Sequence, residues 1–310
     1  MLAPPPASTR PAILGWLAAL SSVSIWAVWA VATRHAVTHD LPPAAIGLFR
    51  FGVPALILLP FAWRIGLFPM GLGLFKGLAL LGSGAPFFLI VASRHAICSG
   101  GRDRPLLPGT MPFFVALIGW FVFGERLAAV RVLGFALILV GIAGIGGHGV
   151  FFAGNGAWRG HLLLLAGAFL WGIYTHAYRR SGLTAYQGAA LIGLWSFLIL
   201  LPFGAPPLVR ALGDGLTGPM LLQALLQGFV AGVAGIVLYG IAIDRLGASR
   251  AAALAPLGII LAALLAIPVL GEIPSPAAWI GIILATLGVV LASGIVGQPL
   301  SGAAASKGGR

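Results

Sequence analysis

Residues 15–36, GWLAALSSVSIWAVWAVATRHA, return in altered form as residues 160–181, GHLLLLAGAFLWGIYTHAYRRS. Laid over one another, Gly15, Trp26 and Arg34 meet Gly160, Trp171 and Arg179. Two further blocks keep the same order. LILLPF at Leu56–Phe61 recurs at Leu198–Phe203, and GERLAAVRVLGFALILVG is answered by GEIPSPAAWIGIILATLG. Gly124 and Glu125 thus meet Gly271 and Glu272, while Gly134 and Gly141 meet Gly281 and Gly288. The offsets of the three blocks stay between 142 and 147 residues. Apolar sequence matches by chance easily, but not at several anchors in constant order, so the chain reads as one unit written twice.

Composition says what solvent the unit is built for. The chain has 310 residues, of which 60% are hydrophobic and only 8% charged, against about 25% charged in an ordinary globular domain. So few charges cannot cover a water-exposed surface, and lipid is the natural solvent for most of these side chains. The net charge of +12 does not point to nucleic acid, because the cations are scattered singly or in pairs between apolar runs and form no basic face. One cysteine, Cys98, leaves no internal disulfide to expect. The first apolar run, from Pro11 to about Thr33, is too long for a signal-peptide core and reads as a first span.

A helix needs about 20 apolar residues to cross the hydrocarbon core. Breaks at charged or Pro/Gly-rich stretches divide the chain into ten such windows, near 12–34, 44–63, 71–93, 105–123, 129–148, 160–178, 185–203, 220–243, 250–270 and 276–296. The expected organisation is a disordered tail (1–11), a first five-helix repeat (12–148), a connecting loop (149–159), a second repeat (160–296) and a second disordered tail (297–310). Eleven cations fall on the side that holds both termini and six on the other, which places the termini in the cytoplasm. Five spans per repeat is an odd number, so the second copy crosses in the opposite sense. The fold class is therefore all-α and integral to the membrane, ten helices as two inverted five-helix repeats. Inverted repeats are typical of secondary transporters, with substrate near the midplane between the halves.

Several features together resemble the EamA branch of the drug/metabolite transporter superfamily. They are the five-plus-five plan, a tryptophan late in spans one and six, Arg50 within PPAAIGLFRF, and Pro112 followed 13 residues later by Gly-Glu at Glu125. The resemblance runs from about residue 12 to 296 and is greatest to the YddG-type exporters of aromatic amino acids. It implies a bacterial inner-membrane exporter of small metabolites, with a central cavity lined by spans one, three, four, six, eight and nine.

Candidate cavity residues come from the span centres. Trp26 and Trp171 hold matching positions; Phe87, Tyr174 and Tyr239 add aromatic surface, and Ser24, Ser83, Thr110 and Thr175 offer hydrogen bonds. Aromatic walls with a few polar groups suit flat or apolar cargo, although mid-span aromatics are more often packing. Arg50 lies some seven residues into span two, roughly 10 Å deep at a rise of about 1.5 Å per residue. It either snorkels or pairs with Glu272, or it receives a substrate carboxylate. Pro86, Pro112 and Pro256 are candidate helix kinks. The glycines at 134, 141, 281 and 288, and the Gly228–Gly232 spacing, read as close-packing or dimer surfaces.

All six acids lie at span ends or in loops. A proton-driven pump usually keeps a carboxylate at membrane depth, so obligatory proton coupling is not expected; His95 and His176 are the remaining relay candidates. No metal site, cofactor or ATP-binding loop is expected, and the implied partners are a small-molecule substrate and the bilayer. A polytopic enzyme would need a nucleophile, base or metal cluster, and none is legible. A broader drug or nucleotide-sugar carrier is the alternative within transport.

One stretch departs from the pattern. HAICSGGRDRPLLP, His95–Pro108, carries paired charges where the resemblance implies a small, apolar lead-in to span four. Either Ile97–Arg104 is a compensated frameshift, which the codons would reveal, or it is a genuine polar outer loop.

Overall fold

The computed structural model describes residues 12–37, 43–97, 107–125, 128–146, 157–215, 217–270 and 275–293. Both tails, residues 149–156 of the expected 149–159 loop, Asp40, Glu272 and all of the 98–106 stretch lie outside the described residues, while residues 157–159 already belong to a helix. The side chains of Arg34, Arg94 and His95 lie outside them as well.

Every regular element among the described residues is helical. This follows from chemistry: in hydrocarbon the backbone must bond to itself, and a helix satisfies all but its ends locally. In the first half, α1 covers Ala12–Val37, α2 Pro43–Ile57, α3 Leu59–Ile65, α4 Leu74–Gly82, α5 Ala85–Ile97, α6 Leu107–Phe123 and α7 Ala129–Gly146. In the second, α8 covers Ala157–Arg179 and α9 Ala185–Gly213. The next rod is composite, made of α10 (Thr217–Gln223), a π-helical stretch (Ala224–Gly235) and α11 (Ile236–Leu246). Then follow α12 (Ala248–Ala253), α13 (Leu257–Leu270) and α14 (Pro276–Ser293).

By length and hydropathy, three of the described stretches can cross a membrane: Leu74–Val91, Ala185–Gly213 and Met220–Leu246. The pair Ala44–Ile57 and Leu59–Ile65, bent by 63°, makes a fourth. The apolar stretches Ile13–Trp29, Thr110–Phe123, Ala129–Gly144 and Pro276–Ala292 are shorter.

The proline expectations resolve differently at each position. Pro112 sits within α6. Pro86 instead stands in the first turn of α5, after a break at Ser83–Gly84, where a missing amide hydrogen costs nothing. Pro256 lies in the turn between α12 and α13 rather than inside a helix. The α4–α5 break is closed by another element, since Ser196 Oγ of α9 accepts from the Ala85 amide at 2.9 Å. That bond supplies the capping oxygen an N-terminal turn needs. At the start of α9, Thr184 and Gln187 bond reciprocally, side chain to backbone, in a capping box. Gly247 joins α11 to α12 in a single residue at φ +84°, a conformation costly for any residue with a Cβ.

Packing between the halves is reciprocal. Helix α1 lies on α11 and α13, while α8 lies on α4, α5 and α6. Helix α2 lies on α9 and α7 on α14, so corresponding elements exchange partners. The α7–α14 seam is made by glycine. A Cβ on Gly134 would fall 2.5 Å from the Ala292 nitrogen, and one on Gly141 2.5 Å from the Ala285 nitrogen. A Cβ on Gly288 would meet the Gly134 carbonyl at 2.6 Å. Backbone touches backbone, and in lipid such close approach is what holds helices together. Gly228 and Gly232 likewise receive α2, at the Phe49 and Arg50 carbonyls.

Candidate functional site

The repeat brings its two anchors together. Trp26 of α1 and Trp171 of α8 meet edge to face, ring centroids 5.0 Å apart at 88°. Around them stand Tyr239 of α11, at 5.1 Å from Trp26 and 5.2 Å from Trp171, Phe87 of α5 at 5.2 Å from Trp171, and Tyr174 at 5.1 Å. Edge-to-face contact suits the ring quadrupoles, each pair adding about 0.5–1.5 kcal/mol beyond area burial. Trp171, Tyr174, Tyr239 and Phe87 are buried, whereas Trp26 is partly exposed. The group is therefore a closed aromatic layer in this conformation.

The polar candidates divide. Thr175 belongs to the layer: its hydroxyl donates to the Trp171 carbonyl at 2.8 Å and lies 3.2 Å from the Tyr239 hydroxyl. Ser83 is buried but returns its hydroxyl to the Leu80 carbonyl at 2.8 Å. Ser24 is exposed and bonds back to Leu20. Thr110 is partly buried near the start of α6. Ser22, not singled out from sequence, is fully buried and donates to the Gly235 carbonyl, tying α1 to the π-helical stretch.

Arg50 does not snorkel. It is 4% exposed, its guanidinium carbon standing 4.7 Å from the Trp29 ring centroid and 5.9 Å from that of Phe51. The Trp29 indole N–H donates to Gln227 Oε1 at 2.5 Å, so Trp29 of α1 joins the π-helical stretch by a hydrogen bond and α2 by its contact with Arg50. Glu272, the acid proposed as its partner, lies outside the described residues.

At the end of the bundle carrying Gly247 is a charged cluster that sequence reading dispersed among loops. Glu125 Oε1 lies 3.8 Å from Arg179 and 3.9 Å from Arg180, and its Oε2 accepts from Ser249 Oγ at 3.2 Å. Arg180 stacks over Phe123, 3.3 Å from the ring centroid. Partial burial, with Arg179 nearby, lowers the Arg180 pKa against the opposing pull of the Glu125 carboxylate, and an arginine keeps its proton in proteins. His176 is locked beneath: its Nε2 faces the Val115 carbonyl at 2.8 Å and its Nδ1 faces Arg180 at 3.1 Å. An arginine can only donate, so Nδ1 accepts and Nε2 carries the proton to Val115. With both nitrogens committed, His176 holds α6 against α8 rather than offering a free proton site. A clue was available, since Arg179-Arg180 and Gly124-Glu125 fall on the same side in the span count.

Exposed ion pairs are worth about 0–1 kcal/mol, so Glu125→Gln is expected to leave thermal stability nearly unchanged. Its effect should fall on closure. In a chain with Cys98→Ser and Thr175→Cys, thiol labelling from the Glu125 end should speed up when Glu125→Gln is added. Unchanged labelling would mean the cluster does not close that end.

A separate groove of about 520 Å³ opens on the side of the bundle between α4 and α9, lined by Phe68, Leu72, Leu74, Leu78, Trp195 and Leu198 among others. Its walls are apolar, the chemistry of a lipid chain.

No group of three or more metal-ligating side chains occurs among the described residues. The model of the EamA-like transporter family matches residues 13–147 and again residues 158–294. The chain belongs to the EamA-like transporter family. This EamA-like chain is a multi-pass membrane protein of a transporter family. It is 28% identical over 303 residues to a probable amino-acid metabolite efflux pump of Salmonella typhimurium, covering 92% of this chain and 89% of that one. It is 28% identical over 285 residues to a probable terminal-alkyne amino-acid exporter of Streptantibioticus cattleyicolor, covering 86% and 92%. A solved structure described only as a crystal structure of a protein shares the fold, with a TM-score of 0.65, 21% identity, and coverage of 90% and 96%.

Proposed function

We propose that this EamA-like chain is a secondary transporter of the bacterial inner membrane, with both termini cytoplasmic. It exports small amphipathic metabolites, above all amino acids with hydrophobic or aromatic side chains, by alternating access. In this reading ten spans form two inverted repeats, and one repeat rocks against the other.

The observation that carries the reading is the aromatic layer. Trp26 and Phe87 come from the first family match and Trp171, Tyr174 and Tyr239 from the second. Relative motion of the two copies therefore parts aromatic faces from one another, and a flat or apolar side chain is the cargo such faces receive. The reciprocal packing of α1 and α8 supports the rocking plan. The printed names of the relatives, an efflux pump and an exporter of amino acids, support the cargo class.

Counterflow in proteoliposomes, with no ion gradient, tests it. Labelled phenylalanine, tryptophan, methionine or threonine should enter against unlabelled substrate inside. Absence of counterflow for all four, with folded protein, would sink the amino-acid reading and move the assignment to a drug or nucleotide-sugar carrier.

A further inference from the structure

A cation buried at membrane depth is costly unless something pairs with it. Arg50 has an aromatic neighbour in Trp29 and one unsatisfied nitrogen. Its Nη1 is buried and has no hydrogen-bond partner among the described residues. The carboxylate ion pairs among those residues involve Arg179 and Arg180, not Arg50. The guanidinium lies over the Trp29 ring and keeps Nη1 open to an acceptor, and a carboxylate is the acceptor that arginine grips through hydrogen bonds in its own plane.

The platform beneath is fixed by two contacts. Trp29 is anchored through its indole N–H to Gln227. The Arg50 backbone is pressed against Gly232, whose Cβ would otherwise lie 2.4 Å from the Arg50 carbonyl. Trp29 stands three residues from Trp26, on the same face of α1 and about 4.5 Å along its axis. A carboxylate on Arg50 would therefore place an attached side chain beside the Trp26–Trp171–Tyr239 layer, a separation that the body of one amino acid spans.

We infer that Arg50, seated on Trp29, is the residue that receives the substrate's carboxylate, and that it restricts cargo to molecules bearing one. This deepens the amino-acid reading and rests on it for the identity of the cargo, but the anion site has its own test.

Two probes of the same shape separate charge from fit: phenylacetate and phenylacetamide. Binding to purified protein is followed by thermal stabilisation and by tryptophan fluorescence. Phenylacetate is expected to bind the unaltered protein about tenfold to a hundredfold more tightly than the amide, the range of a charge-assisted hydrogen bond. Arg50→Gln should erase that preference, leaving both probes equally weak. Arg50→Lys keeps the charge but loses the planar fork; it should retain the preference at reduced affinity. Equal affinity of the unaltered protein for the two probes, or binding of neither, overturns the site whether or not Arg50→Gln folds. A preference that persists in Arg50→Gln overturns it as well.

Counterflow then separates the two proposals. Carboxylate binding through Arg50 without amino-acid counterflow keeps the site and discards the amino-acid reading. Amino-acid counterflow with an unchanged KM in Arg50→Gln does the reverse.

Discussion

Gly141→Leu is expected to yield no monodisperse folded protein. The new Cβ would lie 2.5 Å from the Ala285 nitrogen and 2.6 Å from the Gly281 carbonyl, and neither is the end of a flexible side chain that could turn aside. Overpacking a core usually costs about 1–3 kcal/mol because side chains and backbone share the adjustment. Here only whole-helix separation relieves the clash, and separation undoes the α7–α14 seam along its length. The total stability available is about 5–15 kcal/mol. Size-exclusion profiles and melting curves of detergent-solubilised protein check the outcome. Gly218→Leu is the control, since a Cβ there meets nothing within 4 Å. A Gly141→Leu protein that elutes and melts like the parent would refute the seam.

The second large effect is Trp171→Ala. Trp171 is 2% exposed and touches Trp26, Phe87, Tyr174 and Tyr239. Truncation leaves a cavity ringed by aromatic groups, with an expected cost of about 3 kcal/mol, the low end for such changes. The low end applies because lipid, unlike water, competes for apolar side chains. Transport should suffer beyond stability: losing two aromatic faces is worth about tenfold in affinity for an aromatic cargo. Trp171→Phe, which keeps a ring, should recover much of both. If Trp171→Ala melts lower but carries aromatic amino acids at the parental rate, the layer is packing and not a substrate surface.

How far the sequence could be read follows from what each residue's position depends on. Trp26 and Trp171 were legible as a pair because the repeat itself aligns them, and chains built from two copies bring corresponding positions to the shared interface. The glycines at 134, 141, 281 and 288 were legible as close contacts, but not whether they met each other or another copy. Spacing reveals a smooth helix face and not its partner. Sequence places Glu125 at a span end but does not show its partners, because its contacts with Arg179, Arg180 and Ser249 cross more than fifty residues. The α4–α5 break was invisible for the same reason: its capping oxygen comes from Ser196, over a hundred residues away. Pro86 and Pro256 read as kinks in sequence yet stand at helix boundaries, because proline marks a boundary or a bend equally well. Arg50 is legible as a cation within an apolar stretch, but snorkelling and burial differ by a rotamer, which sequence does not encode.

Twelve consecutive residues, Ala224–Gly235, are wound as a π-helix, where nature mostly tolerates a single turn. A π turn takes up more residues than an α turn, so this stretch holds slack. Tightening part of it would lengthen the rod and swing its side chains, about 100° for each residue of register. Gln227 lies inside the stretch and grips Trp29, so the rewinding that shifted one would release the other. The winding of this one stretch thus sets where the indole under Arg50 sits, much as a tuning peg sets a string.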